Sequence, residues 1–109
     1  MAIEHAASGQ VVDIHSGGSQ LPSSKTFALF KAKDLEVMRL VLPVGKAFPP
    51  HSVPGEITVQ CLEGKIEFTA QGSTQVLRAG QLLYLTGGIE HGLVALEDSS
   101  VLVTIVLRK

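Results

Sequence analysis

Short apolar runs broken by turn residues recur about every eight to twelve residues along this chain, and no long stretch carries the apolar period of a helix. Val11–Ile14 reads as a first short strand. A break follows at Ser16-Gly-Gly-Ser19, then two β-rich runs, Lys25–Lys31 and Leu35–Leu42, joined by a turn at Ala32-Lys33-Asp34 as a hairpin. Phe48–Gly55 is too rich in proline for an interior strand and is expected as an ordered edge or loop, because proline cannot donate to a ladder. Ile57–Leu62 and Lys65–Ala70 flank Glu63-Gly64, read as a hairpin turn with glycine at a positive φ. Thr74–Leu77, Leu82–Leu85 and His91–Leu96 are further strands between glycine turns. Val101–Leu107 is apolar throughout and fits a strand covered on both faces. The pattern predicts an all-β sandwich or barrel.

Composition narrows the class. At 109 residues the chain is long enough for one core and too short for two. It is 45 % hydrophobic and 17 % charged, which argues against disorder. A net charge of −1 and the absence of a basic cluster argue against a nucleic-acid partner. The single Cys61 rules out an internal disulfide and suits a reducing compartment. There is no apolar run of membrane-spanning length and no signal-peptide pattern, so the expectation is a soluble cytoplasmic protein. Residues 1–9 are expected as a flexible segment and 10–109 as the barrel domain.

Two histidines stand in glycine-led frames: Gly45-Lys-Ala-Phe-Pro-Pro-His51, and Gly80-Gln-Leu-Leu-Tyr-Leu-Thr-Gly-Gly88-Ile-Glu-His91. In this the chain resembles a single-domain cupin, whose first motif runs glycine, five residues, His-x-His, a short spacer, Glu, six residues, glycine. Its second motif runs glycine, five residues, Pro-x-Gly, two residues, His, three residues, Asn. Gly45, His51 and Gly64 match the first motif, about residues 45–64. Gly80, Gly88 and His91 match the second, about residues 80–95. The resemblance implies a jelly-roll β-barrel whose two motifs meet at one metal. It also implies a homodimer paired through sheet edges and N-terminal strands, to which Val11–Ile14 would contribute.

The departures decide the chemistry that is expected. Val53 stands at the second histidine position, Ile57 at the glutamate, Thr86 at the proline and Ala95 at the asparagine. Glu56 and Glu90 are one residue out of step with the inward positions, and strand alternation points them to the opposite face. In the family register the pocket is therefore His51, Val53, Ile57, His91, Leu93 and Ala95, a mostly apolar space with two imidazoles. Two neutral imidazoles without a carboxylate leave a divalent charge uncompensated, so no tightly bound cofactor is expected. A weakly held Ni²⁺, Zn²⁺, Cu²⁺ or Fe²⁺ on His51 and His91 is the most the set suggests.

Of the remaining residues with chemistry, His5 and His15 are expected in solvent, Cys61 as a core hydrophobe, Tyr84 as a cap on the core, and Arg39 facing outward. Three functions fit these residues. One is a barrel that binds a small, largely apolar molecule between His51 and His91. Another is an enzyme, either metal-assisted as a dioxygenase, isomerase or decarboxylase, or metal-free with a histidine as general acid/base. The third is a structural barrel with a decayed site.

Overall fold

A computed structural model describes residues 5–14 and 27–108. Among these the chain forms nine strands and no helix: β1 (Phe27–Lys31), β2 (Leu35–Leu42), β3 (Ala47–His51), β4 (Ile57–Glu63), β5 (Lys65–Ala70), β6 (Ser73–Arg78), β7 (Leu82–Leu85), β8 (His91–Ala95) and β9 (Ser99–Val106). They build two antiparallel sheets, ordered β1-β2-β9-β4-β7 and β3-β8-β5-β6. This is the expected all-β jelly roll. The central strands bury alternate side chains, most clearly β4, with Ile57, Val59 and Cys61 at 4 %, 1 % and 0 % exposed. These meet Ile66 and Phe68 from β5, Leu77 from β6 and Val101 from β9 between the sheets.

Some turns behave as local chemistry dictates. β1 and β2 pair as the expected hairpin, closed by a hydrogen bond from the Ala32 amide to the Leu35 carbonyl at 2.7 Å. β5 and β6 are joined through Gln71 and Gly72, both at positive φ (55° and 74°), as a two-residue hairpin turn requires.

Glu63-Gly64 is not a hairpin turn. Gly64 does take the expected positive φ, at 85°, but β4 pairs with β7 and β9 while β5 pairs with β6 and β8. The chain turns a corner here and passes from one sheet to the other. A register shift in the β4–β9 ladder between Cys61 and Glu63 precedes the corner, as bulges do where strands change sheets. Ser99 pins it from the far side: its hydroxyl accepts from the Lys65 amide at 3.0 Å and lies 3.1 Å from the Lys65 carbonyl and 2.7 Å from that of Glu97.

Val11–Ile14 forms no strand, contrary to expectation. The described N-terminal residues instead lie against the five-stranded sheet. The Ala6 amide donates to the Leu29 carbonyl at 2.8 Å, and Ala7–Gln10 closes a turn with two hydrogen bonds, from the Gln10 amide to the Ala7 carbonyl and from the Ala7 amide to Gln10 Oε1. Arg39 points away from the barrel interior as expected, yet it is only 1 % exposed. Its guanidinium donates to the Ser100 hydroxyl and, at 3.3 Å, to the Ile14 carbonyl. Burial lowers its pKa, opposed by the negative charges of Glu63 and Asp13. Of the two N-terminal histidines, His5 is exposed as expected, and His15 lies outside the described residues.

Candidate functional site

β3 and β8 carry one histidine each, and the ladder between them explains how the two meet. Phe48 pairs with Leu93 and faces inward, so in a regular ladder Pro50 would oppose His91 and His51 would point out of the barrel. The pairing slips by one residue between Phe48 and His51, and His51 becomes the partner of His91. The Pro49-Pro50 bulge thus restores His51 to the inner face. β3 is an edge strand with a bulge at this point, the two settings in which a sheet tolerates proline.

The two imidazole rings lie with centroids 4.6 Å apart, tilted by 52°. His91 is 8 % exposed and its ring stacks on Phe68 at 5.6 Å. His51 is exposed at the rim. In each ring Nδ1 faces a backbone carbonyl, that of Ile89 at 2.9 Å for His91 and that of Pro49 at 3.4 Å for His51. A carbonyl only accepts, so the short contact of His91 puts the proton of its neutral ring on Nδ1 and leaves Nε2 its lone pair, whereas the long, exposed contact of His51 does not fix its tautomer. His91 Nε2 has no protein partner among the described residues. No buried side-chain nitrogen or oxygen there lacks one either, so Nε2 reaches open space.

Both rings stand on the wall of a cavity of about 180 Å³ between the sheets. His51, Val53, Ile57, His91 and Leu93 all line it, together with Met38, Leu40, Phe48, Val59, Phe68, Val103 and Ile105. Ala95 does not. It is 2 % exposed within the core, too deep along β8 to reach the cavity wall. The seven further side chains on the wall are not in the expected pocket set, and Phe68 matters most among them because its ring stacks on His91. Alternation with Ile66 on β5 could have marked it as inward, but only the β5–β8 ladder, pairing it with Leu93, brings it beside His91. A larger open groove of about 610 Å³ runs past Glu67, Thr69 and Val94, and His91 borders it too, but His51 does not. The smaller cavity has both imidazoles on its wall and is the candidate site.

The acidic residues stay outside it. Glu56 accepts a hydrogen bond from Tyr84 at 3.0 Å and pairs with Arg108 at 3.6 Å. Tyr84 is 58 % exposed and does not cap the core. Its place on the outer face follows from pairing with Thr58 rather than with an inward residue, and its hydrogen bond to Glu56 raises its pKa. Glu90 is exposed. Cys61 is fully buried, as expected of a core hydrophobe, and burial raises its thiol pKa.

A family model described as "Cupin domain" matches residues 38–107, which takes in both histidine strands and the whole cavity wall. The chain belongs to the cupin family. No curated protein matches it. Among solved structures, it is similar to a conserved protein of unknown function from Streptococcus pyogenes, with TM-score 0.79, 25 % identity, and 100 % of this chain and 96 % of that one covered. It is also similar to a cupin superfamily protein from Desulfitobacterium hafniense, with TM-score 0.80, 11 % identity, and coverage of 99 % and 100 %. A third is an RmlC-like cupin from Desulfovibrio desulfuricans, with TM-score 0.75, 23 % identity, and coverage of 88 % and 97 %.

A metal is the group that the cupin resemblance implies at this place. Among the described residues, no three or more His, Cys, Asp or Glu side chains come together in a way that could hold one. Val53 and Ile57 put hydrocarbon where two further ligands would stand. Two neutral nitrogen donors in an apolar wall do not fit a tightly held divalent ion, which needs further donors and compensating charge.

Proposed function

We propose that this cupin binds a small, largely apolar molecule inside the barrel, with His51 and His91 as its polar anchors. The observation that carries the reading is the pair of imidazoles 4.6 Å apart on the wall of an otherwise apolar cavity of about 180 Å³. Few polar groups converging on an apolar space is the usual make-up of a small-molecule site. The cavity is small, but about 150 Å³ is enough for a benzene-sized guest. Retention of such a space weighs against a purely structural barrel, whose side chains would fill it.

The test is native mass spectrometry of the purified chain, followed by a thermal-shift screen of small apolar compounds. A ligand that binds only the native state raises the unfolding midpoint. The expected result is a hit whose shift shrinks in His91→Ala. A screen without hits, or hits indifferent to His91→Ala, would sink the reading.

A second reading has a divalent transition ion bound weakly by the two Nε2 atoms. Its support is that both Nδ1 atoms face backbone carbonyls, the arrangement that orients metal-binding histidines. Metal analysis after chelator-free purification tests it, and a metal content near zero counts against it. A homodimer is a further proposal, supported by Val11 at 91 % exposed beside the described N-terminal segment. A sedimentation mass of one chain at micromolar concentration would overturn that. A cytoplasmic location is proposed on the unpaired Cys61. Among the described residues, no helix is long and apolar enough to cross a membrane.

A further inference from the structure

We infer that the ligand of this cavity is a small hydroxyl compound, a phenol, enol or small alcohol whose hydroxyl donates a hydrogen bond to Nε2 of His91. This deepens the proposed binding function and rests on it. The polar chemistry of the wall is one-sided. Among the described residues His51 and His91 are its only polar side chains, and the other side chains are aliphatic, aromatic or thioether. With Nδ1 of His91 committed to the Ile89 carbonyl at 2.9 Å, the neutral ring of this buried histidine presents Nε2 as an acceptor and offers no donor.

That inventory sorts ligand classes. A carbonyl or ether entering the cavity would give up its hydrogen bonds to water and find no donor on neutral His91, a loss that specific sites exploit for rejection. A carboxylate would need an imidazolium, the form in which Nε2 has no lone pair to offer, so benzoate is the probe that separates the two forms. An ammonium ion would find acceptors but no carboxylate, since Glu56 is engaged outside with Tyr84 and Arg108 and Glu90 is exposed. A hydroxyl group satisfies its own donor on Nε2 while its hydrocarbon body fills the apolar remainder. A volume of about 180 Å³ accepts one six-membered ring with a substituent, and the rim at His51 is open.

The experiment titrates the full chain with phenol, toluene, fluorobenzene and benzoate at mildly alkaline pH, following affinity by calorimetry and the histidine ring nitrogens by ¹⁵N NMR. Phenol should bind about three- to tenfold more tightly than toluene or fluorobenzene, the gain of one neutral hydrogen bond. The His91 Nε2 resonance should move with phenol and stay put with toluene. His91→Phe, which keeps a ring against Phe68, should level the phenol and toluene affinities; if that variant does not fold, the wild-type ¹⁵N shifts decide the matter. Equal affinity for phenol and toluene, or tighter binding of fluorobenzene or benzoate, overturns the hydroxyl inference and leaves the apolar binding function standing. Failure of all four probes to bind overturns both.

Discussion

Ile57→Glu tests whether the barrel still holds the geometry of a metal site, by restoring one of the two ligands that Val53 and Ile57 replace. Ile57 is 4 % exposed, pairs with Leu85 and Ile105 across its two ladders, and lines the same cavity as His51 and His91. Without metal the substitution removes a buried aliphatic side chain, about 1.5–3 kcal/mol. It also buries a carboxyl group with no hydrogen-bond donor beside it, about 1–3 kcal/mol more even if the group stays protonated. A loss of about 4 kcal/mol is a large part of the roughly 5–15 kcal/mol that holds a domain of this size together. At about 4–8 °C per kcal/mol, the midpoint should fall by roughly 15–30 °C.

Zinc should then reverse most of that fall in the variant and little of it in the wild type. Two histidines and a carboxylate make a three-ligand set, and an ion at a thousandfold excess over its dissociation constant contributes about 4 kcal/mol. Wild type, with two nitrogens only, should gain no more than a few degrees. The assay is differential scanning fluorimetry of both proteins in chelator and in zinc, with His51→Ala added to the variant as a control that should abolish the rescue. Equal zinc shifts in variant and wild type, or no rescue of a variant that still folds, would refute the claim that residue 57 faces both imidazoles.

Three further outcomes are expected. Gly64 and Gly72 share a positive φ, but a Cβ on Gly64 would run into the backbone of Asp98 and Ser99, with Ser99 Cα at 2.8 Å, while one on Gly72 meets nothing within 4 Å. Gly72→Ala should therefore cost about 1–2 kcal/mol in urea unfolding and Gly64→Ala at least about 2 kcal/mol more; similar losses would contradict the corner geometry. Arg39→Ala should cost about 2–4 kcal/mol and speed amide exchange at Ala6, while Arg39→Met should cost less, because what is lost is mainly buried volume and hydrogen bonds. A fully stable Arg39→Ala would show that the N-terminal residues do not need it.

For Cys61, burial raises the thiol pKa above its ordinary value of 9.0. The folded state favours the protonated thiol, so this stabilisation is complete below pH 9.0 and is lost as pH rises through the folded-state pKa. Wild-type stability should decline on the alkaline side more steeply than that of Cys61→Val, and disulfide reagents should label Cys61 only as the protein unfolds. Rapid labelling of the native protein would contradict its burial.

Much of the strand pattern was legible because it is written in nearest neighbours. Ile57, Val59 and Cys61 alternate with Thr58 and Gln60 and show an inward face whatever the strand pairs with. Gly72 and Gly64 likewise announced turns through the backbone conformations they permit. What such local signals lack is the identity of the partner. The Gly64 turn reads the same whether the chain folds back as a hairpin or turns a corner between sheets, and only the ladders of β4 and β5 distinguish the two. Arg39 was legible as outward, but its burial depends on Ser100 and on the Ile14 carbonyl, both far away in sequence. Tyr84 misled because an aromatic hydroxyl in an apolar run looks like a core cap, whereas its strand is the edge of its sheet.

By itself the sequence determined an all-β cupin barrel, two glycine-framed histidines, and hydrocarbon at positions 53 and 57, because composition, alternation and turn chemistry are properties of adjacent residues. Only the tertiary structure decided that His51 faces His91, since a one-residue slip at Pro49-Pro50 reverses the parity that alternation alone would assign. It decided as well that the neutral His91 ring offers an acceptor at Nε2, because its Nδ1 proton is held by the Ile89 carbonyl, whose position depends on the path of the backbone.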